Sequence, residues 1–226
     1  DNASSEIYTT NVNLTFGQAL SLTSGNIRAR GGTLSFSDNL TLGASGALDV
    51  TGSTLSAGQV LDLSSGTLSS SNASILRLQS ATTLSSSNPV SFGSVNFEGQ
   101  ILTLGSPSTE LNLTDANTAL SLSGIALETG TGSLTLSGAL ALSNGAALNS
   151  SGGTITLGSG ASAPSGTSIS LPETTLVLQS DLSLTGATLK TKNTTFTTNA
   201  NALTLSGGIL EVSGVQDLGG VFPDNS

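Results

Sequence analysis

The sequence predicts an all-β fold, a three-faced parallel β-helix of about ten coils of about 20 residues each. Three observations predict it. A glycine returns at near-constant spacing, short Leu-x-Leu segments fill the intervals, and a chain with 40 Ser, 31 Thr and 28 Gly among its 226 residues is poorly suited to helix.

The returning glycines are Gly25, Gly46, Gly66, Gly105, Gly124, Gly145, Gly166, Gly186 and Gly207, with Ser87 standing in once. The residue before is Ser24, Ser45, Ser65, Ser123, Asn144, Ser165, Thr185 or Ser206. Glycine supplies a positive φ at a turn, and a Ser or Asn beside it bonds the local backbone. One structural unit used repeatedly is the consequence.

Between the turns the apolar residues alternate with polar ones, the period of a strand with one buried face. They sort into three ladders. The first precedes the glycine: Leu20 and Leu22, Leu40 and Leu42, Leu61 and Leu63, Leu102 and Leu104, Leu120 and Leu122, Leu140 and Leu142, Leu182 and Leu184, Leu203 and Leu205. The second follows it: Ile27, Leu48, Leu68, Val90, Leu127, Leu148, Ile169, Leu189 and Leu210. A third, Leu14, Leu34, Leu55, Leu76, Val95, Leu113, Leu134, Ile155, Leu176 and Phe196, comes after a second Gly-rich turn. A β-sandwich needs hairpins and variable loops, whereas a period held nearly constant is what stacking demands. Ten coils at roughly 4.8 Å each predict a rod of about 50 Å.

Charge tests the register independently. Arg28 follows Ile27 and Asp49 follows Leu48, so the two fall one coil apart with opposite sign; Lys190 and Glu211 repeat the arrangement after Leu189 and Leu210. These are read as exposed structural pairs.

Composition excludes most chemistry. Without His or Cys there is no Ser-His-Asp or Cys-His site and no disulfide, so no catalytic residues are expected and the protein is read as no enzyme. The acids, among them Asp38, Asp62, Glu98, Glu110, Asp115, Glu128, Glu173 and Asp181, do not gather at one coil position as a glycosidase pair would. No Gly-Gly-x-Gly-x-Asp run at nine-residue spacing suggests calcium, and no metal or cofactor is expected. A net charge of -9 argues against nucleic acid as a partner, and no apolar run is long enough to insert in a membrane. An acidic, Cys-free, Asn/Ser/Thr-rich chain that starts at Asp1 without Met reads as an extracellular processed product or a piece of something longer.

Two surfaces are candidates for function. At the ends, Ile7, Tyr8 and Val12 precede the first ladder and Val215, Leu218, Val221 and Phe222 follow the last. They either fold over the core as caps or pair with a neighbouring molecule, stacking coils head to tail into a homopolymer. Residues 1–12 and 213–226 are accordingly cap or assembly segments around a β-helix at 13–212. Flanking the third ladder, Thr33 and Ser35, Thr54 and Ser56, Thr154 and Thr156, Thr175, and Thr195 and Thr197 form an array of the kind with which several ice-binding proteins present ordered hydroxyls and methyls; the array lapses at Arg77 and Asn96, and its best candidates for an ice face are Thr154, Thr156, Thr175, Thr195 and Thr197.

The repeats NLTLGASGALDVTGSTLS at 39–56 and GSLTLSGALALSNGAAL at 132–148 resemble those of large bacterial surface adhesins of the filamentous-haemagglutinin and autotransporter-passenger type, and the likeness extends over nearly all of 13–212. The resemblance implies a right-handed β-helix displayed at the cell surface as a stalk or filament in adhesion or biofilm. Its partners would be further copies of itself, the remainder of a larger adhesin, or cell-surface carbohydrate. The expected function is therefore structural and non-enzymatic, with ice binding through the threonine face as the alternative.

Overall fold

The computed structural model describes residues 5–71, 73–98, 100, 102–105, 109–114, 120–124 and 126–215. The chain divides into two compact units, Asp1–Asp115 and Ala116–Ser226. Both are built of parallel strands with no helix among the described residues, and the fold is a parallel β-helix of about nine turns.

In the first unit the largest sheet stacks Glu6–Thr10, Leu20–Arg30, Leu40–Asp49, Val60–Leu63, Thr82–Ser86 and Leu102–Leu104 in that order, with Thr67–Ser69 also on Leu40–Asp49. A second sheet stacks Leu14–Phe16, Thr33–Phe36, Thr54–Ala57, Ile75–Leu78 and Ser94–Asn96. A third joins Val90–Phe92 to Glu110–Leu113. The third ladder is thus realised as Leu14, Leu34, Leu55, Leu76 and Val95, each opposite the next. Leu113 departs from expectation, standing opposite Phe92 rather than Val95. From Phe92 it lies 21 residues on, the ordinary coil length, whereas from Val95 only 18 residues would have to close a coil.

In the second unit one sheet stacks Ala126–Gly130, Ala147–Ser150, Ser168–Pro172, Thr188–Lys192 and Ile209–Ser213. Its core row is Leu127, Leu148, Ile169, Leu189 and Leu210, as the spacing predicts. The other sheet is carried by two long strands, Ser133–Ser143 and Thr154–Pro164. Their first halves continue into Thr175–Leu178 and Thr195–Thr197, and their second halves pair with Leu120–Ser123 on one side and Leu182–Thr185 then Leu203–Ser206 on the other. Leu134, Ile155, Leu176 and Phe196 form one aligned row. Ala161 and Ala163 occupy the places that Leu182 and Leu184 fill one coil later.

Burial follows the alternation. Ser133–Ser143 alternates half-buried and buried residues without a break, and ladder residues such as Leu34, Leu55, Leu134, Leu148 and Ile155 are fully buried. Each such side chain contributes about 1.5–3 kcal/mol of transfer free energy. The corners are closed by hydroxyls. Ser74 Oγ donates to the Val50 carbonyl at 2.8 Å, Thr82 Oγ1 to that of Gly58 at 2.6 Å, and Thr174 Oγ1 to Ser150 Oγ at 3.0 Å. Short side chains at the bends reach carbonyls or hydroxyls one coil away, and this is how a chain so rich in Ser and Thr buries them without orphaned polar groups at those sites.

The repeating glycine has two jobs, only one of which the sequence suggests. In the second unit Gly124, Gly145, Gly166, Gly186 and Gly207 all adopt positive φ. In the first, Gly25 does so as well, but Gly46, Gly66 and Gly105 do not. There the constraint is space: a Cβ on Gly46 would lie 2.2 Å from the Leu22 carbonyl oxygen, and one on Gly66 would lie 2.4 Å from Leu42 Cβ.

Candidate functional site

The strand Glu6–Thr10 continues the largest sheet of the first unit, pairing Glu6 with Asn26, Ile7 with Ile27 and Tyr8 with Arg28. Ile7 therefore heads the second ladder as one further rung. Among the described residues this strand pairs on one side only, and the same holds for Ile209–Ser213 in the second unit, which pairs only with Thr188–Lys192. Each is an edge strand with a row of backbone donors and acceptors directed away from its neighbour.

Apolar residues at these edges are exposed, and where they continue an inward row their counterparts one rung inward are buried, as Ile27 is for Ile7 and Thr191 for Val212. Ile7 is 45% exposed and Ile27 1%. Tyr8 and Val12 are exposed as well, and in the second unit so are Ile209, Val212 and Val215. Leu14, Phe16, Leu20 and Leu22, and likewise Leu203, Leu205 and Leu210, are half-buried where most ladder residues elsewhere are buried, Leu68 and Val95 being exceptions. The Phe16 ring stacks on Phe36 with centroids 5.1 Å apart and planes 5° from parallel. Val215 is tethered through its amide, which donates to Asn193 Oδ1 at 3.0 Å. Leu218, Val221 and Phe222 lie outside the described residues.

Ion pairs decorate the same two regions. Lys190 Nζ meets Glu211 at 3.3 Å, and the two stand opposite each other. Arg28 stands opposite Asp49, as the register predicts, but divides its guanidinium between Glu6 at 3.1 Å and Asp49 at 3.5 Å. The tighter partner of Asp49 is Arg30, whose two terminal nitrogens each donate to one carboxylate oxygen at 2.5 Å. This bidentate bond holds the Asp49 carboxyl well below the usual carboxylate range, partial burial opposes it, and the Thr51 amide and hydroxyl reinforce it. Arg30 was not singled out by sequence because the pair is diagonal; two residues along one strand and one rung across are within a long side chain's reach.

The threonines at 154–197 form a second surface, on the second unit; Thr33 stands opposite Thr54 and Ser35 opposite Ser56 on a separate sheet of the first unit, where Ser56 is buried and the array does not continue. Thr154, Thr175 and Thr195 stand opposite one another in successive rungs. Two residues along, Thr135, Thr156, Val177 and Thr197 make a parallel row. The five threonines predicted at 154–197 are brought together, with Thr135 added and Val177 keeping the methyl without the hydroxyl. The lapses at Arg77 and Asn96 belong to a different sheet in the first unit, where Arg77 stands opposite Ser56 and Asn96 opposite Arg77. Backbone positions on this face repeat at about 4.8 Å across rungs and roughly 6.7 Å along a strand.

Other concavities are shallow. A groove of about 280 Å³ on the outer side of the last rungs is lined by Ser170, Pro172, Lys190, Lys192, Glu211 and Ser213 among others. Among the described residues no three His, Cys, Asp or Glu side chains gather where they could hold a metal ion, and no helix is long and apolar enough to cross a membrane. Comparison with protein-family models, with curated proteins and with solved structures finds no match for this chain.

Proposed function

We propose that this protein is a non-enzymatic structural segment of an extracellular stalk or filament, serving adhesion or a biofilm matrix through the stacking of its coils. The observation that carries the reading is the state of the two edge rungs. Ile7, Tyr8 and Val12 on one, and Ile209, Val212 and Val215 on the other, leave apolar residues exposed beside a strand edge that is unpaired among the described residues. Such an edge is the natural place for another coil to be added, supplied by a second molecule or by the rest of a larger adhesin. A sequence with no His or Cys suits a mechanical role better than a catalytic one.

Sizing by light scattering and negative-stain microscopy across a concentration series tests this. Elongated assemblies that grow with concentration are the expected result, and a compact monomer at every concentration would overturn head-to-tail assembly. Cell-surface carbohydrate is the ligand class to screen against the assembled form.

The alignment of the threonine rows favours a second reading, ice binding by the face built from Thr135, Thr154, Thr156, Thr175, Thr195 and Thr197. Under that reading the protein inhibits ice recrystallisation and Thr156→Lys, placed in the middle of the array, removes most of the effect. No inhibition at high protein concentration would end it.

A further inference from the structure

We infer that the coil is continued by a second copy of this chain, docked with Ile209–Ser213 of one molecule parallel to Glu6–Thr10 of the next and Leu210 beside Ile7. The inference rests on the filament reading and fixes its partner and register.

Side-chain alternation removes half of the possible registers. Leu210 continues the core row of Leu189, and Ile7 that of Ile27. A slip of one residue would turn one of these rows to solvent and is excluded. Of the even registers, that with Leu210 beside Ile7 makes one apolar row of Leu189, Leu210, Ile7 and Ile27 across the junction. On the outer side Glu211 then lies beside Tyr8. The outer row runs Lys190, Glu211, Tyr8, Arg28, Asp49, with the anionic Glu211 between its own Lys190 and the incoming molecule's Arg28 two rungs on, at about 9.6 Å.

The two neighbouring even registers are worse for separate reasons. Shifting so that Val212 meets Ile7 sets Glu211 directly opposite Glu6, and like charges opposed across a strand pair are destabilising. Shifting the other way sets Leu210 against Thr9 and leaves Ile7 facing Gly208, which has no side chain to cover it. Charge and apolar pairing therefore select the same register. Because the two strands belong to different surfaces, the contact is heterologous and propagates.

The chain has no cysteine, so engineered pairs report without background. In the selected register Tyr8 and Glu211 of adjacent molecules have Cα atoms about 4.8 Å apart, within disulfide reach. Glu6 and Glu211 would be about 8 Å apart on the diagonal, beyond it. Both side chains of each pair are exposed, so the variants should fold. Oxidised Tyr8→Cys/Glu211→Cys protein should give a ladder of covalent oligomers on non-reducing gels, at least tenfold more abundant than from Glu6→Cys/Glu211→Cys. Cross-linking mainly through the Glu6 pair would overturn the register while leaving the filament reading in place. Assembly of the unmodified chain with no cross-link from either pair, or a cross-link that closes only monomers, would overturn the second-copy junction. A compact monomer from the unmodified chain would remove the filament reading and the inference with it.

Discussion

Leu148→Asp should abolish cooperative folding of the unit Ala116–Ser226, whereas Leu148→Ala should weaken it by about 2–5 kcal/mol. Leu148 is fully buried and stands between Leu127 and Ile169 in a row of five aliphatic residues. Truncation to alanine removes three carbons and leaves a void that flanking coils fill only partly, since backbone ladders on both sides fix their spacing. Aspartate is a different case. Among the described residues no cationic side chain projects into this row, and an unpaired carboxylate there must either remain ionised at a cost of several kcal/mol or take up a proton with its hydroxyl still unmatched. Against a typical stability of about 5–15 kcal/mol, the charge alone is decisive. Denaturant melts followed by circular dichroism give the ranking, and native-state hydrogen exchange shows where the stack opens. In a quasi-one-dimensional fold each coil leans on its neighbours, so protection should be lost first at the rungs of Leu127 and Ile169. An aspartate variant melting within about 1 kcal/mol of the parent would mean that Leu148 is not in a closed core.

The core rows were legible because stacking repeats one environment in every coil. Leu134, Ile155, Leu176 and Phe196 stack directly on one another in equivalent surroundings, so the same residue class recurs at the same spacing and a single sequence displays what an alignment would. The places where the reading failed are those where a coil changes length or a position changes size. The residues between Leu61 and Leu84 run 23 positions, through the Ser-rich stretch 64–71, and beyond it Leu104 rather than Leu102 follows Leu84. A count that assumes constant corners slips at such a coil, and Leu113 is misplaced for the same reason. Ala161 and Ala163 carry the same alternation in Ala-Ser-Ala, but alanine is too small and too common outside cores to mark a core row by its type. The edge rungs were legible as apolar, but not as strands: Glu6–Thr10 follows the spacing of Ile27 back by one coil, a step that the first glycine turn conceals. The threonine face was legible in part, since the sequence cannot show that Arg77 and Asn96 lie on another sheet.

Glycine is where sequence and structure differ most in what they explain, and two substitutions separate its roles. Gly153 and Gly166 both hold positive φ, at +69° and +81°. A Cβ on Gly166 would meet nothing within 4 Å, whereas one on Gly153 would lie 2.3 Å from the Gly132 carbonyl oxygen and 2.7 Å from that of Thr131. Gly166→Ala should therefore cost only the left-handed conformation, roughly 1–2 kcal/mol. Gly153→Ala adds to that a displacement of the preceding coil's backbone, which cannot swing aside as a side chain would, and should cost about 3–5 kcal/mol in all. Asparagine discriminates further, because it tolerates this region of φ better than alanine does. Gly166→Asn should recover most of the parent stability, and Gly153→Asn should recover little, since the clash is with Cβ itself. Paired melts of the four variants measure this directly. Equal losses at the two positions, or full recovery of both by asparagine, would show that turn conformation alone sets the requirement; unequal losses trace it at Gly153 to the packing of one coil against the next, the contact on which every further coil depends.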